Sequence, residues 1–203
     1  EQNINFIIGG YIHTAILEPE KLNANYPVSE GSSRLTKIYK ADVEANDGKM
    51  MILRKEVDKC NLMINKIKNN SVCQSLLTGQ DVIYEEPGIK NINGTWWKGK
   101  ADCINKDQGL LVDIKTTGDI NGFRKSANTY NYDSQAYIYR RIFGHELVFL
   151  VICKKTHQIG IYDCSDEFYE RGGYKVKMAM EQYEKLIEDP LFDIKDYVKT
   201  ETL

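Results

Sequence analysis

No stretch of this chain approaches the roughly 18 consecutive apolar residues that a membrane-spanning helix needs, so no membrane partner is expected. Nor do the first residues run from a basic segment into an apolar one, the order of a secretory signal, and the setting reads as cytoplasmic. Charge of one sign is also lacking: 27 basic against 29 acidic residues leave a net charge of -2. That balance excludes a bulk polyanion binder, and any nucleic acid would have to meet a local basic surface or an enclosed channel. The five cysteines, at 60, 73, 103, 153 and 164, contain no CxxC pair. A zinc ribbon or dithiol redox site is therefore not expected, and reduced thiols acting as small hydrophobes are. With no internal repeat and no low-complexity linker to divide it, the chain reads as one domain over 1–203, with a helical N-terminal third, a core over about 80–165 and a C-terminal helix.

The hydrophobic period changes along the chain. Helical spacing marks 9–17, stopped at Glu18-Pro19, then 35–45, 55–67 and 72–77, the last ending near Gly79. Period-two or continuous apolar segments follow at 81–84, 95–104 and 109–114, bounded by Gly88, Asn93-Gly94 and Lys106-Asp107. A helix over 133–143, with an acidic N-cap and a stop at Gly144, precedes a strand pair at 146–153 and 158–162. A long amphipathic helix over 167–187, weakened by Gly172-Gly173, closes the order. The expected architecture is α/β, a mixed central sheet flanked by helices.

Chemistry concentrates in Gly99-Lys-Ala-Asp102 and Gly109-Leu-Leu-Val-Asp-Ile-Lys115. A short turn joins these two strands, so Asp102 and Asp113 can meet, and Asp113 and Lys115, two apart, share a face. Carboxylates are hard oxygen ligands suited to Mg²⁺, with Mn²⁺ an expected substitute, and the Ile114 carbonyl can add a ligand. A metal held there activates water and stabilises charge on a phosphate, and Lys115 can position that water or stabilise the transition-state anion. An isolated D-x-K on a strand is as often an exposed ion pair of under about 1 kcal/mol. Here the acid sits in an apolar, buried-looking strand, where a carboxylate needs a partner or a metal.

These segments, with Val112-Asp-Ile-Lys-Thr-Thr117, Tyr132-Asp-Ser-Gln-Ala-Tyr-Ile-Tyr139, Gly9-Gly-Tyr-Ile-His13 and Leu17-Glu-Pro-Glu20, resemble the nuclease domain of RecE-type exonucleases (exonuclease VIII). Those belong to the PD-(D/E)xK superfamily, which has a restriction-endonuclease-like core. The likeness runs from Gly9 to Cys153, in the expected order. Ala101 departs from the proline of the superfamily name, and Asp113 stands where many members have Glu.

The resemblance implies that His13 joins Asp102, Asp113 and the Ile114 carbonyl as a metal ligand. It implies catalytic roles for Asp102, Asp113, Lys115, Gln135 and Tyr139, and a further acid from the preceding strand, Glu86 or its neighbour Glu85. Arg34, Lys37 and Gln135 are the candidates for touching DNA. The implied activity is Mg²⁺-dependent degradation of one strand of linear duplex DNA, 5′ to 3′, by a homo-oligomeric ring in a bacterial or phage-infected cell. Double-stranded DNA ends are then the substrate, and a single-strand annealing protein of recombination is a partner. The alternatives are an endonuclease, a RecB- or Cas4-like nuclease, or a non-catalytic DNA-binding protein on the same fold.

Overall fold

A computed structural model describes residues 3–188 and Asp193, so the ends of the 1–203 span lie outside the described residues. The chain opens with α1 (Ile4–Leu17), a single helical turn at Pro19–Lys21, and α2 (Leu22–Asn25). β1 (Val28–Ser29), α3 (Lys37–Ala45), β2 (Ile52–Leu53), α4 (Arg54–Lys68) and α5 (Ser71–Leu77) follow. The central part is β3 (Val82–Ile92), β4 (Thr95–Asn105), β5 (Leu110–Thr117), α6 (Phe123–Thr129), α7 (Tyr132–Phe143), β6 (Glu146–Cys153), β7 (Ile159–Asp163) and α8 (Asp166–Tyr183).

β3 to β7 form one five-stranded sheet in chain order, and β1 pairs separately with β2. All its pairings are antiparallel except β5 with β6, where α6 and α7 make the crossover that a parallel pair requires. β6 is buried from Leu147 to Cys153, consistent with a strand covered on both faces by helices. On one side α1, α4 and α5 pack through Ile12, Ile64 and Leu77 on Cys103, Val112, Ile114 and Leu150. On the other, Phe123, Ala136 and Tyr169 of α6, α7 and α8 pack on Leu111, Phe149 and Val151. The mixed α/β sheet with flanking helices is thus the observed architecture. Among the described residues no helix is long and apolar enough to cross a membrane.

Several boundaries differ from the sequence reading for local reasons. α1 begins at Ile4 rather than Gly9, because the Asn3 side chain accepts from the Asn5 N–H and caps it. β3 continues through Gly88 to Ile92, where a strand end was expected. Gly88 lies opposite Gly99 in the ladder, and a Cβ at either would strike Ile142, Phe143 or Tyr139 of α7. The glycine pair therefore lets a helix lie against the strands instead of ending one. The same holds for Gly172 and Gly173. A Cβ at Gly172 would stand 2.0 Å from the Asp133 carbonyl oxygen, and one at Gly173 would stand 2.8 Å from the Tyr137 ring. These residues do not weaken α8; they allow α7 and α8 to touch. α7 starts at Tyr132 from Asn131, in a left-handed conformation and without a side-chain cap, so Asp133 is inside the first turn and not the cap. The short helix α6 was not anticipated.

The five cysteines are free, four of them buried. Burial pushes the thiols of Cys60, Cys103 and Cys164 up to about 12, which keeps them protonated and unreactive.

Candidate active site

β4 and β5 pair only from Cys103↔Val112 to Asn105↔Leu110, and beyond that they separate. Asp102 and Asp113 stand at the mouth of this gap. Two residues apart on a strand should share a face. Yet Ala101 packs on the α6–α8 side and Cys103 on the α1–α5 side. Alternation breaks at Asp102. The flanking pairs Tyr84↔Cys103 and Glu86↔Ala101 place Glu85 across from it, and Glu85 has φ 53°. A non-glycine residue in that region costs on the order of 1–3 kcal/mol and persists where its surroundings impose it, often at functional sites.

This irregularity gathers three elements. His13 Nδ1 of α1 lies 3.3 Å from Asp102 Oδ2. His13, Glu85 and Asp102 each offer one ligand atom within 4.8 Å of the others. The Ile114 N–H donates to Asp102 Oδ2 at 2.8 Å across the gap. A strand residue directs its N–H and C=O to the same side, so the Ile114 carbonyl faces the gap too. Gly10 helps seat α1, since a Cβ there would strike the Tyr26 hydroxyl.

Asp113 approaches from the α7 side. Its Oδ1 accepts from Gln135 Nε2 at 2.6 Å, and its Oδ2 lies 2.7 Å from Lys115 Nζ. The second contact is an ion contact only: Asp113 Oδ2 is buried and has no hydrogen-bond partner of proper geometry. Lys115 Nζ also sits over the Tyr132 ring, 4.9 Å from its centroid. Burial lowers the pKa of this ammonium, but Asp113 and Asp102 outweigh that and hold it above the ordinary lysine value. Burial, then the charge of Asp113, pushes Asp102 up to about 7, against the opposing pull of His13, Lys115 and the Ile114 N–H. Burial and Asp113 likewise raise the Tyr139 hydroxyl, which neighbours Gln135 and the Lys100 backbone.

The carboxylates of Asp102, Asp113 and the strained Glu85, with the His13 imidazole, form a hard, oxygen-rich donor set. That set fits a divalent cation such as Mg²⁺. The residues that would hold it are Asp102, Asp113, Glu85, His13 and the Ile114 carbonyl.

The remaining candidates divide. Gln135 and Lys115 stand within the site. Of the two acids left open for the further ligand, Glu85 is the one beside His13 and Asp102: Glu86 pairs with Ala101, which faces α7, away from His13. Glu85 also forms an ion pair with Lys100. Arg34 is engaged elsewhere, donating to both Glu56 carboxylate oxygens at 2.7 Å, while Glu56 accepts the Leu53 N–H and caps α4. Lys37 is exposed at the start of α3. Neither enters the carboxylate cluster.

Two supporting residues escaped the sequence reading. Tyr132 precedes Gln135 by one helical turn, a spacing that puts both on one face and was legible in principle. Asp133 is completely buried, and Arg171 and Lys175 of α8 hold it at 2.6 and 2.8 Å. It anchors the first turn of α7 and thereby Gln135.

Comparison with known proteins adds the wider context. A family model described as a PDDEXK-like domain of unknown function (DUF3799) matches residues 1–192. No curated protein matches the sequence. A solved structure described as "Putative exonuclease" from Eubacterium rectale is 18% identical, with a TM-score of 0.66, covering 100% of this chain and 78% of that one. A phage related exonuclease from Haemophilus somnus 129PT is 17% identical, with a TM-score of 0.41, covering 92% of this chain and 99% of that one.

Proposed function

The chain belongs to the PDDEXK-like domain family, and from that premise we propose that it is a Mg²⁺-dependent deoxyribonuclease that degrades one strand of linear duplex DNA. The observation that carries the reading is the grouping of His13, Glu85 and Asp102 at the β4–β5 gap, with the buried Asp113 and its partner Lys115 beside them. Structural carboxylates are normally neutralised by cations or hydrogen bonds. Here two carboxylates and an imidazole lie with potential ligand atoms within 4.8 Å of one another.

Each side chain then has a task. Asp102, Asp113, Glu85 and His13 bind the cation, with the Ile114 carbonyl. A bound Mg²⁺ supplies a Lewis acid for phosphate oxygens and lowers the pKa of water. Lys115, kept protonated by Asp113 and fixed over Tyr132, places positive charge where the attacked phosphate gains negative charge. Gln135 fixes Asp113 Oδ1 and so the direction of its second oxygen, Oδ2. Tyr139 and Gln135 line the α7 side of the approach.

The RecE-like motifs support an exonuclease working 5′ to 3′ from DNA ends, acting with a single-strand annealing protein in recombination. Residues 1–203 are read as one nuclease domain acting in the cytoplasm, in bacteria or phage-infected cells. A homo-oligomeric ring accommodates the net charge of -2, since basic groups can line a channel while the exterior stays acidic. Digestion of linear duplex beside covalently closed circles, with Mg²⁺ and with Mn²⁺, tests the proposal. Loss of linear DNA with intact circles is expected. Equal nicking of circles identifies an endonuclease, and binding without cleavage identifies a non-catalytic relative.

A further inference from the structure

The β3–β4 hairpin reaches well past the last pairing of β4 with β5, ending in the tight Asn93-Gly94 turn. Its composition departs from that of the chain. Between Pro87 and Ala101 there are three lysines and no acid, in a protein whose net charge is -2. Lys90 and Lys98 have no ion-pair partner among the described residues. Trp96 is 69% exposed and Ile89 67%, the most exposed side chains of their kind on the sheet.

The two faces of the hairpin are distinct. Gly99 and Gly88 abut Tyr139, Ile142 and Phe143 of α7, so that face is covered. Side chains alternate along an unbroken ladder, which puts Trp96, Lys98 and Lys100 on the opposite face. Pro87 and Ile89 lie across from Lys100 and Lys98 on it, and these four border an open groove of about 670 Å³. Lys100 pairs with Glu85, so the row ends at the carboxylate cluster. Because α7 is pressed into the glycine pair, the hairpin is a braced strut and not a loose arm. Trp96 stands six residues from Asp102, about 20 Å along the strand.

We propose that this face is a binding track for an unpaired DNA strand entering or leaving the active site, with Trp96 stacking on a base and Lys98 contacting a phosphate. The inference rests on the nuclease reading for its substrate, and it adds a contact surface outside the metal cluster. Base faces are exposed only where a strand is unstacked, and an exposed indole beside the unpaired Lys98 supplies both the stacking and the charge such a strand requires. A second copy of the chain is the other occupant an exposed Trp and Ile suit, but the unpaired charge of Lys98 between them disfavours self-association.

The chain has two tryptophans, so Trp97→Phe leaves Trp96 as the sole reporter. Titration of that variant with oligothymidylate in EDTA, where no cleavage occurs, should quench its fluorescence. Measured instead by the fluorescence anisotropy of a labelled oligothymidylate in EDTA, Trp96→Ala in the otherwise unaltered protein should weaken binding about tenfold or more. Lys98→Ala should lower the slope of log K against log salt by about 0.7. Mg²⁺-driven digestion of linear duplex by the wild-type protein is measured alongside. Digestion with unaltered oligonucleotide binding by Trp96→Ala overturns the track and spares the nuclease. Trp96-dependent binding without digestion supports the track while the nuclease reading fails. A change in sedimentation of Trp96→Ala with binding unchanged marks an interface between copies and overturns the track.

Discussion

Asp102 Oδ2 accepts the Ile114 backbone N–H at 2.8 Å across the gap where β4 and β5 have ceased to pair. One side chain there replaces a ladder hydrogen bond, holds the strands at a fixed separation and faces Asp113. It follows that the metal-free protein keeps two mutually repelling carboxylates, Asp102 half-buried and Asp113 buried, at one gap. Asp102→Asn should abolish cleavage yet leave the melting temperature in EDTA unchanged or raised, because the amide removes the repulsion. Differential scanning calorimetry with and without Mg²⁺ checks this, and Mg²⁺ should stabilise the wild type but not the variant.

Glu85 and Glu86 should separate cleanly. Glu85→Gly relieves the left-handed backbone at φ 53° and should keep or gain up to about 1 kcal/mol of stability, while raising the Mg²⁺ concentration needed for activity. Glu86→Ala should leave the metal requirement unchanged. An Mg²⁺ titration of activity in which the Glu86 variant is the one displaced would reverse the assignment.

The contrast between these neighbours shows where sequence was informative. Asp113 and Lys115 follow the two-residue period of a regular strand, and the apolar run of β6 and the stop at Gly144 were equally legible. Glu85 was not separable from Glu86, since the strand period fails at the one residue whose backbone is irregular. Gly88, Gly99, Gly172 and Gly173 read as breakers because local preference is all that a sequence displays; their role depends on helices distant in the chain. Asp133 looked like a cap for the same reason, its cationic partners lying on α8.

Lys115→Ala should retain Mg²⁺ and DNA binding but lose about 10²- to 10³-fold in turnover, as removal of one transition-state donor does. Gln135→Ala should cost about 10- to 100-fold in metal affinity or activity, because Asp113 loses the group that orients it. Single-turnover rates with separately measured metal affinities distinguish the two. Loss of metal affinity in the lysine variant with its rate intact would exchange their roles.

Asp133 should govern acid stability through α7 and α8. Burial raises its pKa, but hydrogen bonds from Lys175, Arg171 and the Ser134 N–H outweigh this and hold it below the ordinary aspartate value. A depressed carboxylate contributes stability above its unfolded value, and that stability is lost as pH falls through the folded one. Asp133→Asn should therefore cost about 2 kcal/mol at neutral pH, a difference that shrinks below about pH 4. Urea unfolding across that range measures it; a difference independent of pH would contradict the ion-pair account.

The central claim is that Asp113 and its neighbours bind a cation that DNA cleavage requires. Its most direct measurement is digestion of end-labelled linear duplex by the wild type and by Asp113→Ala, each in Mg²⁺ and in EDTA. The account predicts digestion by the wild type in Mg²⁺ alone, and none by the variant under either condition. Cleavage that persists in EDTA, or an Asp113→Ala protein as active as the wild type, would contradict it.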